Sequence, residues 1–325
     1  MIAAPGIDEI RAAAQRIRGS VRRTPLLAAA PIKEKPELAC GLRLKLEALQ
    51  VTGSFKARGA INAVFALPPE QLRRGIVTAS GGNHGLAVAY AGWATKVPAT
   101  IFLPRLVAAD KIEKLDAWGA QVVMAGEVWD DSNRAALQHA EAENLSYIHP
   151  FADPAVIAGQ GTIALEILEE APDLDTLLVA IGGGGLISGI AVAAKAIDPG
   201  IRVIGVQAAG AASMHASLKA GEVIRLESFA TIADGIAVGQ PGELTYAHVA
   251  ELVDEVVTVT EEDIARAMVL LIERAKLVVE PAGAVGVAAL LAGVVSAQTP
   301  AVAVLSGGNI DPTVLARVVK RASAD

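Results

Sequence analysis

The chain has 325 residues, 53% of them hydrophobic and only 3% aromatic, with a formal net charge of −7. That length suits about two domains, and a core so poor in aromatics must be built from Ala, Val, Leu and Ile. With no Lys/Arg block, nucleic acid is excluded as a partner. The single cysteine, Cys40, excludes an intramolecular disulfide and fits a reducing compartment.

In chain order, the N-terminal stretch MIAAPGIDEIRAAAQRIR lacks the basic start and apolar stretch of a secretory leader and reads as an amphipathic helix. Strands are predicted at LRLKLE (42–47), IVTAS (76–80), ATIFLP (99–104), AQVVMA (120–125), LLVAIG (177–182), RVIGVQ (202–207), EVVTVT (255–260) and AVAVLS (301–306). Most are apolar over several consecutive residues, as strands covered on both faces should be. Helical patterns such as AADKIEKLDAWG and EEDIARAMVLLIERAK lie between them, the second opening on a capping-box-like Thr260-Glu261-Glu262-Asp263. The longest apolar run, 282–295, is shorter than the roughly 20 residues of a membrane span. Headed by Pro281, it reads as a buried helix. A soluble, cytoplasmic protein that engages no membrane is expected.

Alternating strands and helices predict an α/β protein of two domains, each with a largely parallel twisted sheet flanked by helices and joined by right-handed crossovers. Pro68-Pro69 and HPFADP (149–154) are natural breakpoints. They place a smaller domain, 69–150, inside a larger one made of 1–68 and 151–325.

Three glycine-rich turns follow predicted strands. GGGGLISG begins at Gly182, SGGNHG spans 80–85, and SGGN spans 306–309. Four ordered glycines in a row are costly and imply a backbone curled around a ligand. With the positive end of a helix dipole behind them, they suit a phosphate. No Lys follows as a P-loop requires, and GxGxxG fails in every frame, so a small phosphate monoester fits better than a nucleotide. GQGTIA (159–164) matches GxGxxA, yet it lies in a helical pattern and reads as close helix packing. SGGNHG suits an anionic carboxylate equally well. All three lie where strands end, the place where ligands gather in open α/β sheets, and could line one cleft. The five histidines have no metal-like spacing, and neither GxSxG nor SxxK occurs. Lys56, in TGSFKARGA at the head of an apolar run, reads either as a solvated first-turn lysine or as an amine aimed into a cleft to form a covalent bond.

In order, GSFKARGA, SGGNHG, GGGGLISG, TIADGIA (231–237), VEPAGAVG (279–286) and LSGGN resemble the pyridoxal-phosphate-dependent threonine/serine dehydratase and serine racemase family, of tryptophan-synthase-β-like fold. The resemblance covers nearly the whole chain. It implies pyridoxal 5'-phosphate as cofactor, with Lys56 forming the internal Schiff base and moving the α-proton. Phe55 would pack on the cofactor ring. The amides of Gly182, Gly183, Gly184, Gly185 and Leu186 would hold its phosphate, Asn83 its ring hydroxyl and Ser306 its ring nitrogen. Ser80, Gly81, Gly82, Asn83 and His84 would bind the substrate carboxylate. A buried lysine loses its proton more easily and becomes both nucleophile and base, and Gly53 and Gly59 would allow close approach. Arg58 reads as one half of a structural ion pair. Ser306, a neutral partner for the ring nitrogen, would favour prompt β-elimination over transamination.

The implied reaction is β-elimination from a β-hydroxy-α-amino acid, threonine or serine by default, to a 2-oxo acid and ammonia. Rarer substrates (3-hydroxyaspartate, phenylserine or one derived from hydroxyectoine) stay open, because AVGQPGEL (237–244) carries no clear side-chain code. A non-catalytic phosphate- or nucleotide-binding module is the alternative from another class, though it would have no use for Lys56. Racemising members carry a serine where Gly81 stands, so little racemisation is expected. Their cation-binding acidic cluster is replaced by QAAGAASMHAS, so no metal site is expected. Phe151 matches the dehydratases. No regulatory domain is expected beyond the C-terminal helix, and the family implies a homodimer or higher homo-oligomer.

Overall fold

The computed structural model describes residues 5–29, 41–296 and 300–322, so Cys40 lies outside the described residues. The chain forms two sheets. The larger has six strands: β1 (Leu26–Ala28), β2 (Leu42–Lys45), β7 (Thr176–Ala180), β8 (Arg202–Ala208), β9 (Glu255–Val259) and β10 (Ala301–Val304). Their order is β1-β2-β10-β7-β8-β9, all parallel except the antiparallel edge strand β1. The smaller sheet has four parallel strands, β3 (Ile76–Ala79), β4 (Ala99–Leu103), β5 (Gln121–Met124) and β6 (Ser146–Tyr147), in the order β5-β4-β3-β6.

The apolar strands of the large sheet are buried on both faces, and side-chain alternation shows how. Leu177 and Val179 of β7, with Val302 and Val304 of β10, join one core cluster. Leu178 and Ala180, with Ala301 and Ala303, join the other. The first cluster is closed by α1 (Ile7–Arg16), α7 (Pro154–Glu170) and α8 (Gly185–Ile197), the second by α11 (Glu261–Leu270) and α12 (Pro281–Ala292). On the small sheet, α2 (Lys56–Ala66) and α4 (Asn83–Thr95) cover one face and α6 (Trp129–Ala142) the other. No helix among the described residues is long and apolar enough to cross a membrane.

Several local expectations meet their physical counterparts here. Thr260 and Asp263 form a reciprocal capping box at the head of α11. Pro281 is the first residue of α12, where its missing N–H costs nothing. GQGTIA is helix packing: a Cβ on Gly159 would sit 2.6 Å from the Arg58 carbonyl of α2, and one on Gly161 would sit 2.7 Å from the Gly189 carbonyl of α8. The sequence pattern did not show β1 or β6, which have three and two residues. It also missed the π-helical turn Leu271–Ala275 that ends the α11 region.

Candidate active site

Lys56 is the first residue of α2, and the turn before it is tied to the turn after β10. The Phe55 N–H donates to the Ser306 carbonyl at 3.0 Å, and the Gly308 N–H donates to the Gly53 carbonyl at 2.9 Å. Ser54 and Gly307 form an antiparallel bridge. The lysine therefore leaves a turn that cannot shift without moving a strand end of the large sheet. Its Nζ donates to the Pro150 carbonyl at 2.6 Å and lies 5.2 Å from the centroid of the Phe55 ring. Part of the side chain still faces the cleft. Burial nevertheless lowers its pKa to about 8, against the pull of the Glu280 carboxyl.

The corner 149–151 brings the four-glycine turn to this lysine. His149 Nδ1 accepts the N–H groups of Phe151 at 3.2 Å and Ala152 at 2.8 Å. Its ring meets the Phe151 ring edge-on, 4.7 Å between centroids. Phe151 in turn lies against the glycines. A Cβ on Gly183 would overlap the Phe151 ring, and one on Gly185 would come 2.7 Å from the Phe151 carbonyl. Gly184 has a φ of +96°, open to glycine at no steric cost, and α8 starts at Gly185. Gly183, Gly184, Gly185 and Leu186 are buried. Thr245 Oγ1 donates to the Gly183 carbonyl at 2.6 Å and so fixes the turn from behind. The first N–H groups of any helix have no partner within it.

The remaining predicted residues sit at the mouths of β3 and β10. Ser80 follows β3, and its Oγ accepts the Gly82 N–H at 3.2 Å. Gly81 is half-buried and Gly82 exposed. Asn83 opens α4 and donates through Nδ2 to Glu280 Oε1 at 2.7 Å. His84 is buried, with Nε2 2.9 Å from the Ile148 carbonyl. Burial first and the charge of Lys56 second push its pKa down to about 3. The same two causes push His149 to about 4. Both rings are neutral at pH 7, so Lys56 is not crowded by further cations. Ser306 is buried, and its hydroxyl makes only a long 3.5 Å contact to the Ala282 carbonyl.

A family model for pyridoxal-phosphate dependent enzymes matches residues 17–307. The chain belongs to that family. It is 45% identical to an L-threonine ammonia-lyase of Thermotoga maritima, over 97% of this chain and 78% of the relative. It is 47% identical to an L-threonine ammonia-lyase of Geobacter sulfurreducens, over 96% of this chain and 77% of the relative. The solved structure of maize serine racemase superposes with a TM-score of 0.91 at 38% identity, covering 99% of each chain.

The residues of this family member fit pyridoxal phosphate. Buried backbone at a helix N-terminus, in a turn with room for no Cβ, matches a phosphate. A lysine of lowered pKa matches an aldehyde. Among site residues, sequence reasoning gave no role to Glu280 and Asn309, although both stand in the motifs it quoted. Glu280 is 4% exposed, and burial first and the neighbouring Asp234 second push its pKa up to about 8. The available signal was a single acid, between Val279 and Pro281, heading an otherwise apolar run.

Proposed function

We propose that this chain is a pyridoxal-phosphate-dependent ammonia-lyase that removes the β-hydroxyl of threonine, and of serine, to give a 2-oxo acid and ammonia. The observation that carries this reading is Lys56: a desolvated amine with a pKa of about 8, on a turn bonded to the turn after β10 and donating to the corner that packs on the four-glycine turn. The names of the relatives at 45% and 47% identity favour threonine over the rarer hydroxy-amino acids.

Bound here, pyridoxal phosphate supplies an aldehyde that captures amines and a conjugated ring that takes up the electrons of a breaking Cα–H bond. The chain supplies the rest. The amides of Gly182, Gly183, Gly184, Gly185 and Leu186, with the dipole of α8, would hold the cofactor's phosphate. Ser306 would offer the ring nitrogen a hydroxyl rather than a carboxylate, Phe55 would pack on the ring, and Asn83 would donate to the ring oxygen. The backbone of Ser80, Gly81, Gly82, Asn83 and His84 would take the substrate carboxylate at the N-terminus of α4 and so orient the α-proton. Nζ of Lys56 would anchor the cofactor at rest. As a free amine it removes the α-proton, since its pKa leaves a useful neutral fraction near pH 7–8. Gly81 has no hydroxyl to act as an acid from that position, so racemisation is expected to stay slow. Lys56 heads α2 on the small sheet and the four-glycine turn follows β7 of the large one, so this chemistry would lie between the two sheets.

The test is a panel of β-hydroxy-α-amino acids assayed for 2-oxo acid, with D-serine measured alongside. Threonine is expected to turn over fastest, D-serine to form far more slowly than pyruvate from L-serine, and Lys56→Ala to be colourless and inactive. Wild-type protein that stays colourless with pyridoxal phosphate, or a Lys56→Ala variant that turns yellow like the wild type, would refute the reading.

A further inference from the structure

Asn83, Glu280 and Asn309 come from the heads of α4 and α12 and the turn after β10, and they close a ring of polar contacts. Asn83 Nδ2 donates to Glu280 Oε1 at 2.7 Å. Asn309 Nδ2 donates to Asn83 Oδ1 and to the Thr52 carbonyl, each at 2.7 Å. The Asn309 backbone N–H stands near enough to the Glu280 carboxyl to favour its charged form.

The direction of this ring is decided at one end. A backbone carbonyl only accepts, so the Asn309 atom beside Thr52 must be the NH2 group. Its second hydrogen meets Asn83, whose facing atom must then be oxygen. That turns the Asn83 NH2 toward Glu280 and leaves its other hydrogen free. The two flips of a carboxamide have the same outline and opposite polarity, and only neighbours choose between them. Here three neighbours choose one.

Space for the ring has been cleared by glycines from three motifs. A Cβ on Gly53 (φ +74°) would lie 2.9 Å from the Asn309 Cγ, one on Gly307 would lie 2.8 Å from the Glu280 Cδ, and one on Gly235 would lie 3.3 Å from Glu280 Oε1. A buried acid beside Asp234 is expensive to keep, and an apolar residue would cost less. A carboxyl in that place gives the Asn83 amide an acceptor that an apolar residue could not.

We propose that Glu280 and Asn309 are positioning residues that hold the Asn83 carboxamide in the flip presenting an N–H, and not an oxygen, to the ring oxygen of the cofactor. This rests on the reading of Asn83 as the contact to that oxygen. A donor there stabilises the ionised ring oxygen, while the opposite flip would set oxygen against oxygen. The acid's two charged neighbours, Asp234 and Lys56, act on its proton and leave its role as acceptor intact.

The test compares Asn309→Asp, Glu280→Leu, Glu280→Gln and Asn83→Ala as holoenzymes, following the visible absorption of bound cofactor against pH and its retention on dilution. Asn309→Asp offers only acceptors to Thr52 and Asn83, and Glu280→Leu removes the acceptor. Each is expected to move the pH midpoint of the visible band upward and to weaken retention by about tenfold, the scale of one lost hydrogen bond to a charged group. Glu280→Gln keeps an acceptor oxygen and is expected to stay within about twofold of wild type on the same scale. Folded Asn309→Asp and Glu280→Leu proteins with wild-type midpoint and retention would overturn the proposal. So would a Glu280→Gln protein as impaired as Glu280→Leu. Asn83→Ala separates the two levels: if it leaves the midpoint unchanged, the assignment of Asn83 itself is wrong.

Discussion

Phe151 shows how a single side chain sets the shape of the glycine turn. Its ring is held on the far side by the His149 ring and by its own N–H on His149 Nδ1. It therefore resists swinging away when something grows on the near side, where Gly183 has no side chain. Gly183→Ala puts a methyl into the ring carbons. Phe151 or the turn must shift, and a turn that moves strains its bond to Thr245 and takes its N–H groups off the phosphate. Overpacking of this kind costs about 1–3 kcal/mol, so cofactor affinity is expected to fall about tenfold. Phe151→Ala in the same chain removes the obstructing atoms and should restore part of that loss. The two sites touch, so their effects will not add. Absorbance titration with pyridoxal phosphate reads both variants. An undiminished affinity in Gly183→Ala would mean that the turn has slack the packing does not show.

At the scale of elements, the helix that carries Lys56 is anchored two residues on. Arg58 is fully buried and forks onto two carboxylates, with Nε and Nη2 2.8 Å from Glu47 and Nη1 2.6 Å from Glu166. Lys45 of β2 completes the group, 2.6 Å from Glu166 and 2.7 Å from the Thr24 carbonyl. Burial opposes the charge on Arg58, but the two carboxylates outweigh it and hold its pKa above the ordinary value. The cluster thus ties α2 to the large sheet and to α7. Arg58→Met would leave Glu166 to Lys45 and the buried Glu47 with only the Thr24 hydroxyl, and a loss of about 3–5 kcal/mol in urea unfolding is expected. Arg58→Lys should recover little, because a point charge cannot fork. The ion pair expected for Arg58 could be named in advance, yet its partners could not, since Glu166 lies 108 residues away. The same limit applies to Glu280 and Asn309, which meet Asn83 across 197 and 226 residues. What could be read were runs such as LLVAI and AVAVL, where apolar β-formers end on glycine and local chemistry decides. Strands β1 and β6 were illegible because two or three residues carry no period, and tertiary pairing alone makes them strands.

Across the whole molecule, the buried groups of the cleft tie its chemistry to global stability. Glu280 has its pKa raised from 4.5 to about 8, so between those values the folded state binds more protons than the unfolded chain. Stability from this group is full below pH 4.5 and is lost as pH rises through 8. His84 and His149, lowered from 6.5 to about 3 and about 4, act in the opposite sense: their contribution is present above pH 6.5 and lost as pH falls. They offset Glu280 between pH 4.5 and 6.5. Lys56, lowered from 10.5 to about 8, adds stability only as pH rises from 8 to 10.5. Of these four groups, Glu280 alone binds clearly different numbers of protons in the folded and unfolded chain between pH 6.5 and about 7.5; closer to 8 Lys56 begins to oppose it. Protein without added cofactor is therefore expected to show a thermal midpoint that falls across that interval. Glu280→Gln removes the titrating proton and should flatten the slope there, while leaving the acid limb set by the two histidines. Melting curves at constant ionic strength measure both. A midpoint that rises from pH 6.5 to about 7.5, or a slope that survives Glu280→Gln unchanged, would mean the buried acid is ionised in the fold, and its carboxyl would then have to be balanced by a protonated Lys56.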